Sequence, residues 1–114
     1  MKRELETAES LYYKTINLIS KKWVLLVIHV VAEKKRVRFS EIVKMIPDIN
    51  TRILSDRLSE LEKEGLFDRI VENTKPVTVY YQLTDKAKDL NKVFASLVGW
   101  ANTWSKGKKK IVKH

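Results

Sequence analysis

None of the 114 residues is a cysteine, which removes disulfides, thiolate metal sites and cysteine nucleophiles together. Such a chain suits a reducing compartment. Only three residues are glycine and two are histidine, and no Gly-rich phosphate loop, metal-ligand spacing or nucleophile–base constellation can be read along the chain. No cofactor and no metal are expected. Glu60, Glu62 and Glu64 read as a charged helix surface, because no further acid or histidine converges on them by spacing. His29 lies on an apolar segment without a second ligand at a workable spacing, so it reads as a packing or boundary residue. These absences argue against an enzyme. No apolar run reaches the ~18 residues of a membrane span and no signal-peptide pattern is present, so the expectation is a cytoplasmic protein with no membrane partner.

Acidic residues are in the minority, 14 against 23 Lys and Arg, for a formal net charge of +9. The distribution says more than the sum. Residues 106–114 hold five lysines and no acid, leaving residues 1–105 with 18 basic and 14 acidic side chains, a net of +4. A basic chain favours nucleic acid or an anionic surface, yet most of this one is only mildly basic. Composition supports a nucleic-acid partner without establishing it. The tail is too charged and too short to fold alone, and reads either as a solvated end or as a flexible arm adding sequence-independent phosphate contacts.

The rest of the chain is arranged about residues 38–69, RFSEIVKMIPDINTRILSDRLSELEKEGLFDR. Ser40 is an expected N-cap for a helix carrying Ile42, Val43 and Ile46, which Pro47 ends. Asn50 is expected to cap a second helix, on which Leu54, Leu58 and Leu61 recur at i, i+4 and i+7 as a buried stripe. Gly65 is a natural stop, since glycine enters the left-handed region without a Cβ clash. So short a connection makes the helices cross sharply, as in a helix-turn-helix. At about 100° per residue, Arg52, Ser55, Asp56, Ser59 and Lys63 point away from the leucines. Arginine and short hydroxyls near a helix start are what a DNA major groove accepts, although a solvated face would look the same.

Two strands follow, over residues 66–71 and 77–83, with Asn73, Thr74, Lys75 and Pro76 as the turn. In the second, Val77, Val79, Tyr81 and Leu83 alternate with polar positions, the period of a half-buried strand. A hairpin directly after a helix-turn-helix is a wing, whose tip groups suit phosphate or the minor groove. Residues 33–36 make a charged turn in which Lys34, Lys35 and Arg36 either reach phosphates or are simply solvated, and residues 37–39 add a short third strand. Upstream, residues 2–19 read as a helix with Leu5, Ala8, Leu11, Tyr12, Ile16 and Ile19 on its apolar side. Residues 22–33 are β-branched and apolar nearly throughout, and propensity alone gives a strand. Residues 85–104 form a long helix capped by Thr84, with Ala87, Leu90, Phe94, Leu97, Ala101 and Trp104 spaced 3, 4, 3, 4, 3 as a helix-packing seam. Either both terminal helices build a dimer interface, the reading taken here, or they pack on each other within one chain.

The ordered pieces Lys22-Trp23, Arg38-Phe39-Ser40-Glu41, Ile46-Pro47, Ile49, Leu54-Ser55, Arg57-Leu58, Leu61-Glu62, Gly65-Leu66, Arg69, Pro76, Tyr81, Leu83-Thr84 and Trp100 resemble the HxlR-type branch of the winged-helix regulators, relatives of the MarR group. The likeness covers roughly residues 16–104. It implies that residues 22–33 are the buried first helix of the winged core, with Trp23, Val27 and Val30 inward. It also implies a homodimer on a two-fold related operator, the second helix in the major groove and the wing beside it. Many relatives carry a cysteine shortly before the Lys-Trp pair for thiol-based sensing, and often a glycine where Ser20 and Lys21 stand here. That sensing is not inherited.

The expected fold is thus mainly α with a small β-hairpin wing (α+β), one domain over residues 1–105. Within it, residues 1–20 and 84–105 form the dimerising helices, residues 22–83 the winged core, and residues 106–114 a basic tail. The expected function is sequence-specific binding of double-stranded DNA by a homodimeric transcription regulator. Arg52 and Ser55 would contact base edges, with Asn50, Thr51 and Ser59 in support. Arg38, Ser40, Arg57, Asn73, Thr74 and Lys75 would lie on phosphates, with Arg57 also placed to pair with Glu60 or Glu64. Leu5, Ala8, Tyr12, Leu90, Phe94, Leu97, Ala101 and Trp104 would form the dimer contact. The alternatives are a sequence-indifferent DNA-coating protein and a winged-helix module that docks a protein of the transcription machinery. No residue set demands a small-molecule effector.

Overall fold

The computed structural model describes residues 12–105. Leu5, Ala8 and Leu11 of the expected N-terminal helix, and the whole basic tail, lie outside the described residues. Within them the order is α1 (Lys14–Ile19), α2 (Val24–Ala32), α3 (Phe39–Met45), α4 (Thr51–Lys63), β1 (Phe67–Glu72), β2 (Thr78–Leu83) and α5 (Asp85–Thr103). It is a mainly helical winged helix-turn-helix with one antiparallel hairpin.

The β-branched run becomes helix α2 because its apolar side chains satisfy a helical stripe. Val24, Val27, Ile28 and Val31, at i, i+3, i+4 and i+7, are all fully buried. This corrects the inward set expected from the sequence, since Val30 is only half-buried and Trp23 precedes the helix. Trp23 is the N-cap and holds a left-handed backbone, φ 81°. That conformation costs a non-glycine residue roughly 1–3 kcal/mol. The indole packs against the core and lies under the Lys22 ammonium, 4.9 Å from the ring centroid, and both contacts offset the strain.

Helix α3 starts earlier than Ser40. Arg38 is its N-cap, and the Glu41 carboxylate accepts the Arg38 backbone N–H at 2.8 Å, one half of a capping box. With that bond available two residues upstream, Ser40 lies inside the first turn and is exposed. Helix α4 begins where expected: the Asn50 side-chain oxygen accepts from the N–H groups of Arg52 (2.8 Å) and Ile53 (3.2 Å). Its other end is a Schellman closure. Gly65, at φ 75°, donates to the Glu62 carbonyl, and Leu66 donates to that of Leu61.

In the hairpin Phe67 pairs with Leu83 and Glu72 with Thr78. The base of the wing is buried at Phe67 and Leu83, while Val71 near the tip is 46% exposed. Val77, expected inward, sits outside the strand and is 60% exposed, because the turn carrying Pro76 extends through it. The short third strand reduces to one antiparallel bridge, Val37 with Tyr81, held by N–H···O bonds of 2.9 and 2.7 Å.

Thr84 caps α5, its hydroxyl accepting from the Ala87 N–H at 3.3 Å. The seam along α5 divides. Ala87 is buried and Leu90 packs on the core, while Phe94 stacks on His29 with 4.5 Å between centroids. Val93, Leu97, Trp100 and Trp104, spaced 4, 3 and 4, remain 41%, 50%, 66% and 74% exposed. Leu90 and Phe94, expected in a dimer contact, are therefore largely used within the chain. The uncovered stripe keeps Leu97 and Trp104 of the expected seam and takes in Val93 and Trp100 in place of Phe94 and Ala101. Among the described residues no helix is long and apolar enough to cross a membrane.

Candidate nucleic-acid interface

The second helix of the helix-turn-helix presents two unlike faces. Leu54, Leu58 and Leu61 are at most 1% exposed and share one buried cluster with Ile42, Ile46 and Ile49 of the preceding helix and turn. Thr51, Arg52, Ser55, Asp56, Ser59 and Lys63 are exposed. The Asn50 cap uses side-chain oxygen to satisfy N–H groups at the helix start, so Thr51 and Arg52 stand at a well-defined N-terminal end. An N-terminal end rich in donors, carrying an arginine and hydroxyls, is shaped to enter a groove lined by acceptors.

Around this helix the expected positioning groups separate. Arg38 (side chain 56% exposed) and Ser40 flank the start of α3, and Arg38 approaches Glu41 only at 3.8 Å. Asn73 and Lys75 are exposed on the wing turn. The Thr74 hydroxyl donates within that turn to the Pro76 carbonyl at 2.8 Å, so it braces the tip. Arg57 is engaged within the chain. Its Nε donates to the Lys22 carbonyl at 3.2 Å and its guanidinium pairs with Glu60 at 3.0 Å, with only 19% of the side chain exposed.

Arg57 belongs to a brace that the sequence does not signal. Lys21 hydrogen-bonds the second oxygen of Glu60, Lys14 pairs with Glu64 at 3.4 Å, and the Lys86 amine donates to the Glu64 carbonyl at 2.9 Å. Residues from α1, the α1–α2 junction and α5 thus grip the C-terminal half of α4. Those lysine partners, 22 to 50 positions apart, share no local pattern, whereas the alternative pairing of Arg57 with Glu60 is legible from helix spacing. The tip-ward half of the wing has its own clamp: Arg36 pairs with Glu72, the last residue of β1, at 2.9 Å and lies 4.5 Å over the Tyr80 ring of β2. His29 is a boundary residue, set between Asn91 (3.3 Å) and Glu33 (3.2 Å).

The hydrogen bond from Lys21 holds the Glu60 carboxyl below the ordinary glutamate value, aided by the charges of Lys21 and Arg57 and opposed by partial desolvation. A depressed folded-state pKa gives a stabilisation present above the unfolded value and lost as pH falls through the folded one. Glu60→Gln is therefore expected to flatten the acid limb of a stability–pH curve measured by urea unfolding. Parallel curves for both proteins would remove Glu60 from the account.

Two helices joined by a short connection and sharing one buried cluster, the second with one leucine face and one Arg/Ser/Thr face, and a β-hairpin beside it define a winged helix-turn-helix DNA-binding protein. Residues 18–109 match the model of the HxlR-like helix-turn-helix family, and the chain belongs to that family. It is 39% identical over 93 residues to the HTH-type transcriptional regulator YvaP of Bacillus subtilis, covering 82% of this chain and 85% of that one. It is 40% identical over 86 residues to YodB of the same organism, covering 75% and 76%. The reduced form of YodB superposes with a TM-score of 0.73 at 35% identity, over 85% of this chain and 94% of that one. The protein is accordingly a DNA-binding transcription regulator of the HxlR/MarR type, not an enzyme.

Proposed function

We propose that the protein acts as a homodimer on a two-fold related operator, placing one α4 helix in each of two successive major grooves about 34 Å apart. The observation that carries this is the exposed start of α4, where Arg52 and Ser55 face outward beside the Asn50 cap. Arg52 reads a guanine edge, Ser55 a neighbouring base, and Thr51 and Ser59 support them. Arg38, Ser40, Asn73 and Lys75 lie on the phosphates. The uncovered stripe Val93, Leu97, Trp100 and Trp104 supplies the contact between copies, with exposed Tyr12 and half-buried Ala101 as further candidates. Four large apolar side chains in one helical line are costly to leave in water.

The test is selection from a pool of random duplexes at near-physiological salt, run on the protein and on Arg52→Ala and Lys75→Ala. Enrichment of a two-fold related motif is expected. Arg52→Ala should lower affinity for that motif by ~1–3 kcal/mol and relax the preference at one position in each half-site. Lys75→Ala should weaken all duplexes alike and reduce the salt dependence. Binding without enrichment would indicate a DNA-coating protein. An unchanged preference in Arg52→Ala would mean that α4 does not read the bases as described.

A further inference from the structure

The turn after α2 and the start of α5 enclose a cleft of about 710 Å³, bounded by Lys34, Lys35, Arg36 and Lys88 with Glu33 and Leu83. Its place follows from the strand pairing. Because Val37 pairs antiparallel with Tyr81, residues before Val37 run beside Gln82 and Leu83, and those after it run toward the wing tip. The cleft therefore lies at the base of the wing, on the far side of the bridge from Lys75.

Its charge is unbalanced. Lys34, Lys35, Arg36 and Lys88 meet three carboxylates, Glu33, which also contacts His29 at 3.2 Å, Asp85, 3.9 Å from the Lys88 amine, and Glu72, which holds Arg36, so one positive charge is in excess. Lysines just beyond a helix C-terminus complement its dipole, which accounts for Lys34 and Lys35. It does not account for Lys88, the fourth residue of α5, where the helix dipole disfavours a cation and the i,i+3 pairing with exposed Asp85 is loose. Cations drawn from two elements into one concavity, one against its helix dipole, are a recurrent answer to a bound anion.

We infer that this cleft binds a small, multiply charged anion bearing phosphate or carboxylate groups. Lys34, Lys35 and Lys88 supply the mobile charges, and Arg36, fixed between Glu72 and Tyr80, supplies a rigid wall. An anion drawn toward Arg36 competes with Glu72 for the guanidinium, so occupancy reaches both strands of the wing.

Inorganic pyrophosphate is a suitable probe, titrated into the full chain at ionic strength held constant with sodium chloride and followed by backbone amide NMR. Saturable shifts are expected at residues 33–36, 82–83 and 88, with smaller ones at Glu72 and Tyr80. Lys34→Ala with Lys88→Ala should weaken binding about three- to tenfold, the effect of losing two exposed charge contacts. Lys108→Ala with Lys110→Ala removes the same charge from the tail and should leave the affinity unchanged. Shifts that fail to saturate, or equal weakening by both double variants, would reduce the effect to general screening and overturn the proposal. Stoichiometric displacement of pyrophosphate by any DNA duplex, lost in Lys34→Ala with Lys88→Ala, would instead place the cleft in the DNA footprint and also overturn it.

Discussion

Leu97→Glu combined with Trp104→Glu is expected to turn the protein into monomers and to lower affinity for a two-fold related operator by about 10²–10⁴-fold. Both side chains are at least half exposed, at 50% and 74%, so nothing in the chain's own core depends on them. Their charge replacement leaves the fold intact and penalises only a surface that must lose water against another apolar surface. Two helices joined through a dimer engage the second half-site at high effective concentration, and that advantage disappears with the dimer. Light scattering on the eluting protein gives the mass, and the same sample tested on whole and half operators gives the affinity. The half operator should be bound equally by both proteins. A double variant that remains dimeric with undiminished operator affinity would show that copies meet elsewhere.

The division of the α5 seam marks where sequence reading stopped. Spacing identified a helix with too many apolar residues for one small core. It could not say which of two adjoining stripes the chain would cover itself, because that depends on where α2 lies. His29 decides it by stacking on Phe94 and bonding Asn91, which turns Phe94 and Leu90 inward and leaves Val93 and Leu97 outside. Local rules did well where the determinant was local: the Asn50 cap, the left-handed Gly65, the leucine stripe and the Thr84 cap each depend on neighbours within a few positions. They did poorly at Trp23, whose left-handed backbone is maintained by packing rather than by its own preference. They also missed the grip on α4 by Lys14, Lys21 and Lys86. For Arg57, side-chain type and helix position suggested either a phosphate contact or a pairing with Glu60 or Glu64; it pairs with Glu60 and also donates to a backbone carbonyl 35 residues away, which no local pattern signals.

Under the proposed reading, helix α4 separates holding the fold from meeting DNA most sharply, because adjacent residues are assigned the two tasks. Leu58 is 1% exposed, in one cluster with Leu54 and Leu61. Leu58→Ala removes buried apolar volume that its neighbours cannot refill, at about 2–5 kcal/mol. For a small domain stabilised by roughly 5–15 kcal/mol in total, that is a large fraction of the margin. Ser59 is exposed, and Ser59→Ala is expected to change stability by no more than about 0.5 kcal/mol. Urea unfolding of the two variants should therefore differ widely in midpoint. Duplex selection on the folded fraction should show the converse, with Leu58→Ala keeping the parental base preference and Ser59→Ala binding the same motif more weakly. The contrast depends on the rotation of α4 about its axis. A helix turned by one residue would bury Ser59 and expose Leu58, and a near-neutral Leu58→Ala would be the sign of it.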